Sequence, residues 1–368
     1  MPRESDNSII AVVKVPFLAL SLLGFSALAN AQWVYVADSG SSAAGSASLD
    51  KVWAFDASSG AMVGSGPLWT DSNLTTMVGV QVHNSKFYVL DTGSTSGSTQ
   101  VRAGLYEYNS AGQFLRTVSG AAYNSGAVSS GAFNDARAFA VRGGFAYIAV
   151  GANTAAVAAG VNGSIVKVDL STGASSTFAT ITGTNANASA RGLTWIGNEL
   201  YVTHHGTYNP GTGTLNDSRI IRFDQNGGNQ TTILSNQSAT TAGTGIKQPI
   251  QITADTDGDL IVSGFTGSGT WGVYEFSTGG TQKNYWSTVS PRGVARLGDG
   301  NFLTASGINV LKVNTTSNTV STIFGGSSTG PAQHNFYQMS VGQPVPEPGT
   351  LAVIGLGLAA LARRRRKG

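Results

Sequence analysis

The feature that most restricts the fold of this chain is a group of short extended runs that keeps returning. Between Gln32 and Gly342, runs of Val, Ile, Tyr, Phe and Thr are separated by turns of Gly, Asn, Asp and Ser, and no long stretch has helical periodicity. One run of each group is Trp33-Val34-Tyr35-Val36, Lys86-Phe87-Tyr88-Val89, Phe145-Ala146-Tyr147-Ile148, Glu199-Leu200-Tyr201-Val202, Asp259-Leu260-Ile261-Val262 or Asn301-Phe302-Leu303-Thr304. Anchored on Tyr35, Tyr88, Tyr147, Tyr201, Ile261 and Leu303, the groups are spaced by about 42 to 60 residues. That is a propeller-type period lengthened by insertions.

Three more runs accompany each anchor. An apolar run leads it: Val78 to Val82, Arg137 to Val141, Arg191 to Trp195, Pro249 to Thr253 and Arg292 to Arg296. Tight turns such as Gly197-Asn198, Asp257-Gly258 and Asp299-Gly300 join the two as hairpins. A third run follows, for example Leu105-Tyr106-Glu107-Tyr108 or Ile165-Val166-Lys167-Val168, and then a more polar fourth, such as Gln113 to Val118 or Thr319 to Phe324. Four strands in each of six units predict an all-β, six-bladed β-propeller over residues 32–342. The first unit has no leading run of its own, and Phe336 to Val341 reads as the missing strand. N- and C-terminal strands would thus close the first blade and remove an open edge. A pair of packed β-sandwiches is the architecture that competes with this reading. The units, most clearly Pro249 to Val262, resemble those of NHL and streptogramin-lyase-like propellers. That resemblance implies the fold; function has to be argued from a site.

The ends of the chain read as addresses. Arg3 and Lys14 precede a largely apolar stretch from Val15 to Leu28, and Ala29-Asn30-Ala31 supplies the small residues that signal peptidase needs. Residues 1–31 are therefore expected to be a signal peptide cut before Gln32, with an N-terminal membrane anchor as the alternative. Residues 343–368 run through Pro344-Val345-Pro346-Glu347-Pro348, then an apolar segment from Leu351 to Ala362 expected to be a short helix, then Arg363 to Lys367. This order places the basic end on the cytoplasmic side. The segment closely resembles the PEP-CTERM sorting signal, with Pro346, Glu347 and Pro348 as its hallmark. The resemblance implies exosortase as a partner, passing insertion in the inner membrane, and a destination at the cell envelope, the cell surface or outside. A plain C-terminal anchor without processing is the alternative.

The charges bear on partners. Of 22 basic residues seven lie in the terminal segments, as do three of 19 acidic ones, so the body is close to neutral. The basic pI belongs to the tails, and the clustered basic charge that nucleic acid requires is missing. The chain has no Cys, which excludes disulfides and thiolate metal sites. It has no P-loop, no G-x-S-x-G elbow and no H-E-x-x-H motif.

In a propeller the leading strands line the central channel. Here they start at Val78, Arg137, Arg191, Gln248, Arg292 and Tyr337, which sets three arginines round one channel mouth. The ends of the second strands add Asp38, Asp91 and His204, and the long loops after them are rich in Gly and Ser. The expected site is a polar rim pocket of Arg137, Arg191, Arg292, Gln248, Asp38, Asp91 and His204, suited to a carboxylate or sugar acid. The alternative is that each arginine ties down a loop of its own or the next blade. Propellers of the resembled kind that act as lyases or lactonases hold a divalent ion with His, Glu and Asp. Only Asp38, Asp91 and His204 could play that part here, and adjacent His204 and His205 point to opposite faces of their strand. Asp255 to Asp259 looks like a calcium loop but lacks its remaining ligands, and reads as a turn.

The residues favour a non-catalytic binding or matrix module, without a cofactor, and the PEP-CTERM resemblance suggests an exopolysaccharide partner. The alternative is a divalent-metal-dependent lyase or lactonase on the channel rim. A purely structural surface protein is a third reading.

Overall fold

The computed structural model describes residues 32–40, 50–74, 76–92, 94–96, 99–101, 103–120, 136–151, 161–182, 189–209, 214–216, 218–235, 246, 248–265, 271–326 and 334–343. The expected signal peptide, Pro346-Glu347-Pro348, the expected C-terminal apolar helix and much of the long loops lie outside these residues.

The protein is a six-bladed β-propeller, each blade a four-stranded antiparallel sheet. Blade 2 runs, from the axis outward, Met77–His83, Lys86–Asp91, Gly104–Tyr108 and Phe114–Gly120. Blade 3 is Ala136–Arg142, Phe145–Val150, Val161–Asp169 and Ser175–Thr182. Blade 4 is Ser189–Ile196, Glu199–His205, Arg219–Phe223 and Thr231–Ser235. Blade 5 is Gln248–Ala254, Leu260–Phe265, Trp271–Phe276 and Gln282–Thr288. Blade 6 is Gly293–Arg296, Phe302–Ser306, Asn309–Asn314 and Thr319–Gly325. Blade 1 takes its inner strand, Phe336–Gly342, from the far end of the chain, followed by Trp33–Asp38, Asp50–Asp56 and Trp69–Asp71. Trp33 pairs with Gly342 and Val36 with Met339, so the expected two-ended closure of the first blade is present.

The second strands explain the near-continuous apolar runs of the sequence, because both of their faces are covered. In blade 1, Val34 and Val36 pack with Leu303 and Ala305 of blade 6, while Tyr35 and Ala37 pack with Phe87 and Val89 of blade 2. The same arrangement repeats round the ring, and the core is six apolar layers between blades. Burying each Val, Leu or Phe there is worth about 1.5–3 kcal/mol.

The turns between third and fourth strands dock each blade on the one before it. Asp169 of blade 3 accepts hydrogen bonds from the backbone N–H of Ser171 (2.8 Å) and Thr172 (3.0 Å), an Asx turn that leaves Gly173 at φ +77°. A Cβ on Gly173 would stand 2.0 Å from the Val118 carbonyl oxygen of blade 2. Asp56, Asn109, Asp224 and Asn314 cap the matching turns of other blades in the same way.

Two of the long loops after second strands contain paired segments among their described residues. They fold into two-stranded hairpins, Ser94–Ser96 with Thr99–Val101 and Thr207–Asn209 with Thr214–Asn216. Asp255 to Asp259 forms the expected turn, with Gly258 N–H donating to Asp255 C=O at 3.1 Å.

Candidate functional site

The inner strands share an irregularity near their first residues. In blades 2, 3 and 4 the strand register skips one residue, at Val78, Arg137 and Arg191. In blade 5, Ile250 and Gln251 face the single residue Ser263, and in blade 1 Tyr337 and Gln338 face Ala37. In blade 6 the N–H of Arg292 bonds the carbonyl of Ala305, which is already the partner of Gly293. A bulge turns a side chain away from the regular alternation. Here it turns one from every blade toward the axis. Val78, Arg137, Arg191, Ile250, Arg292 and Tyr337 line a cavity of about 290 Å³, together with His205, Gln251 and Gln338.

Directly after each bulge comes a second layer: Gly79, Ala138, Gly192, Gln251, Gly293 and Gln338. The small members make room for the two glutamines. A Cβ on Gly79 would lie 2.4 Å from Gln338 Oε1, and one on Gly293 would lie 3.0 Å from Gln251 Oε1. Gln251 accepts from Met339 N–H (3.0 Å) and Val294 N–H (3.1 Å), and donates to Met339 C=O (2.6 Å). Gln338 reaches from blade 1 to blade 3, donating to Phe139 C=O at 3.2 Å. Both are buried and tie strands of different blades together, so they floor the cavity.

The wall carries positive charge. Arg137 and Arg191 stand on neighbouring blades, and Arg292 stands across the ring from Arg137. Arg292 donates to Asn335 Oδ1 and lies over the ring of Tyr337, 5.3 Å from its centroid. Asn335 Nδ2 donates to Tyr337 Oη at 2.9 Å, which sets the phenol in place. His205 is neutral across the ordinary pH range. Burial, and then the charges of Arg191, His204 and Arg137, push its pKa down to about 3. No carboxylate belongs to the wall among the described residues.

Four residues expected at the rim are not in this wall. Asp38 is fully buried and committed to the closure: it accepts from Trp53 Nε1 (3.0 Å), Gly40 N–H (3.1 Å) and Asn335 N–H (2.9 Å), and lies 2.6 Å from His334 Nδ1. Burial raises its pKa, but these hydrogen bonds outweigh that and hold it below the usual carboxylate range. Asp91 is fully buried and accepts from Thr76 N–H at 3.0 Å. His204 is fully buried, and alternation along the strand brings its neighbour His205 to the cavity. Gln248 gives way to Ile250 because the bulge of blade 5 falls two residues later than the strand start.

At the opposite end of the ring is a wider cavity of about 620 Å³, with Gln32, Asp56, Asp255, Arg296 and Val341 in its wall. Arg296 stacks on Phe302, 4.5 Å from the ring centroid, and its Nε lies 3.7 Å from Asp255 Oδ1.

Fold and tail together define a class: an exported β-propeller of the cell envelope, handled by exosortase. Residues 344–367 match the PEP-CTERM protein-sorting motif, which covers the sorting tail and not the propeller. No curated protein matches the chain in sequence. Among solved structures, TolB from Acinetobacter baumannii is similar, at 14% identity and a TM-score of 0.53, over 84% of this chain and 66% of that one. A candidate 6-phosphogluconolactonase from Bacteroides fragilis NCTC 9343 is similar at 13% identity and a TM-score of 0.50, over 85% and 98%. At such identities the likeness speaks for the propeller fold and not for an activity.

Proposed function

We propose that the protein is a binding module that takes an acidic saccharide in the arginine-lined cavity, at the surface of an envelope coated with exopolysaccharide. Export by a signal peptide cut before Gln32 is part of this reading. The observation that carries it is three guanidinium groups round one cavity whose described wall holds no acid. Guanidinium pairs with carboxylate through paired N–H donors, and each such charged hydrogen bond is worth about 1.5–3 kcal/mol. Tyr337 and neutral His205 add groups that can hydrogen-bond sugar hydroxyls.

The metal-dependent alternative draws no support from this wall. A divalent ion needs oxygen or imidazole donors converging on one point. Asp38, Asp91 and His204 are buried outside the cavity, and no group of three or more His, Asp or Glu is placed to hold an ion among the described residues.

Calorimetric titration of the full chain with glucuronate tests the reading. Each of Arg137→Ala, Arg191→Ala and Arg292→Ala should weaken binding by about tenfold or more. The triple variant should melt cooperatively yet bind nothing. A well-folded triple variant with unchanged affinity would end the proposal.

A further inference from the structure

We infer that the cavity accepts the terminal acidic sugar of a chain, end-on, and not a sugar within a chain. This rests on the proposed binding of an acidic saccharide and adds the mode of recognition.

Three observations lead to it. The first is enclosure: the wall is contributed by the inner strands of all six blades, so the cavity is surrounded by backbone on every side. The second is the floor. Gln251 and Gln338 each bond to a blade two places round the ring, and an added Cβ at Gly79 or Gly293 would meet their side-chain oxygens at 2.4 and 3.0 Å. Lower down, Ser340 Oγ donates to Val80 C=O at 2.6 Å and binds blade 1 to blade 2. With these side chains set across the channel below the arginines, we take the arginine side as the way in. The third is size. A volume of about 290 Å³ lies at the small end of ligand cavities, which run from about 300 to 1,000 Å³, and so suits a single sugar ring.

A polymer threaded past a site needs a way in and a way out. Entered from the arginine side alone, the cavity offers only the first. The charge sits in the wall, so a carboxylate must descend to lie between Arg292 and the Arg137–Arg191 pair. A sugar linked on both sides is held above the mouth by its neighbours, while one linked on a single side can enter.

The experiment compares three probes by calorimetry on the full chain. They are glucuronic acid, an oligosaccharide with glucuronate at its non-reducing end, and the same oligosaccharide extended there by one neutral glucose. The first two should bind with affinities within about tenfold of each other, at one site per protein. The extended probe should bind at least tenfold more weakly than its parent. Equal affinity of the extended probe and its parent would overturn end-on recognition and leave the binding function standing. Binding by none of the three would overturn the underlying function and this inference with it.

Discussion

Asp50 shows what a single misfit group costs in this ring. It is fully buried; its Oδ2 accepts from Met77 N–H at 3.0 Å, and its Oδ1 has no hydrogen-bond partner among the described residues. Burial first, and then the charge of Asp91, raise its pKa well above the usual carboxylate range. The folded protein thus holds this proton more tightly than the unfolded chain does. The resulting stability is full below the unfolded pKa and is lost as pH rises through the folded one. Asp50→Asn keeps the acceptor for Met77 and removes the charge. Thermal melts from pH 4 to 9 should show the variant gaining about 1 kcal/mol or more at neutral to alkaline pH, and little at pH 4. At this scale the sequence was informative about residue type and poor about direction. Three arginines were visible at the starts of three leading strands, and all three line the cavity. Ile250 lines the cavity in place of Gln248 because a bulge changes which residue faces the axis without changing composition, and His205 in place of His204 because side chains alternate along that strand. The flooring glutamines were overlooked. Their signal is the residue after each bulge, small at 79, 138, 192 and 293 and Gln at 251 and 338.

Strands and turns were more legible. A strand buried on both faces must be apolar throughout, and that run marks the second strand of every blade in the bare sequence. The hairpins inside two Gly/Ser-rich loops were not legible, since such residues satisfy turns and short edge pairs equally well. The turn at Gly173 offers a test at this scale. Gly173→Ala requires a left-handed conformation and drives a methyl group against the Val118 carbonyl of the adjacent blade. We expect a loss of about 1–3 kcal/mol, measured by urea denaturation, with no change in affinity for glucuronate. Gly197, also left-handed at φ +55° but with open space around its Cβ, should lose less on the same replacement.

For the whole molecule, closure depends on one strand. Phe336–Gly342 completes blade 1, supplies Tyr337 and Gln338 to the cavity, and is fastened at its start by the contacts of Asp38 with His334 and Asn335. Ending the chain at residue 335 removes the strand, uncovers the edge of Trp33–Asp38, and takes away a wall and half of the floor of the cavity. Size-exclusion chromatography should find such a chain associated or aggregated, and circular dichroism should find its melting broadened. A chain ending at Gln343 should melt as cooperatively as the full one, because it keeps the whole closing strand and the Tyr35 hydroxyl donating to the Gln343 carbonyl at 2.9 Å, the last contact among the described residues. The path from Gln343 to the sorting motif begins on the face opposite the arginines. A molecule attached at that face would carry its arginine-lined mouth on the far side of the ring. Under the proposed role, such a copy could take a saccharide end while still attached, with the glycan reaching outward from the side of attachment.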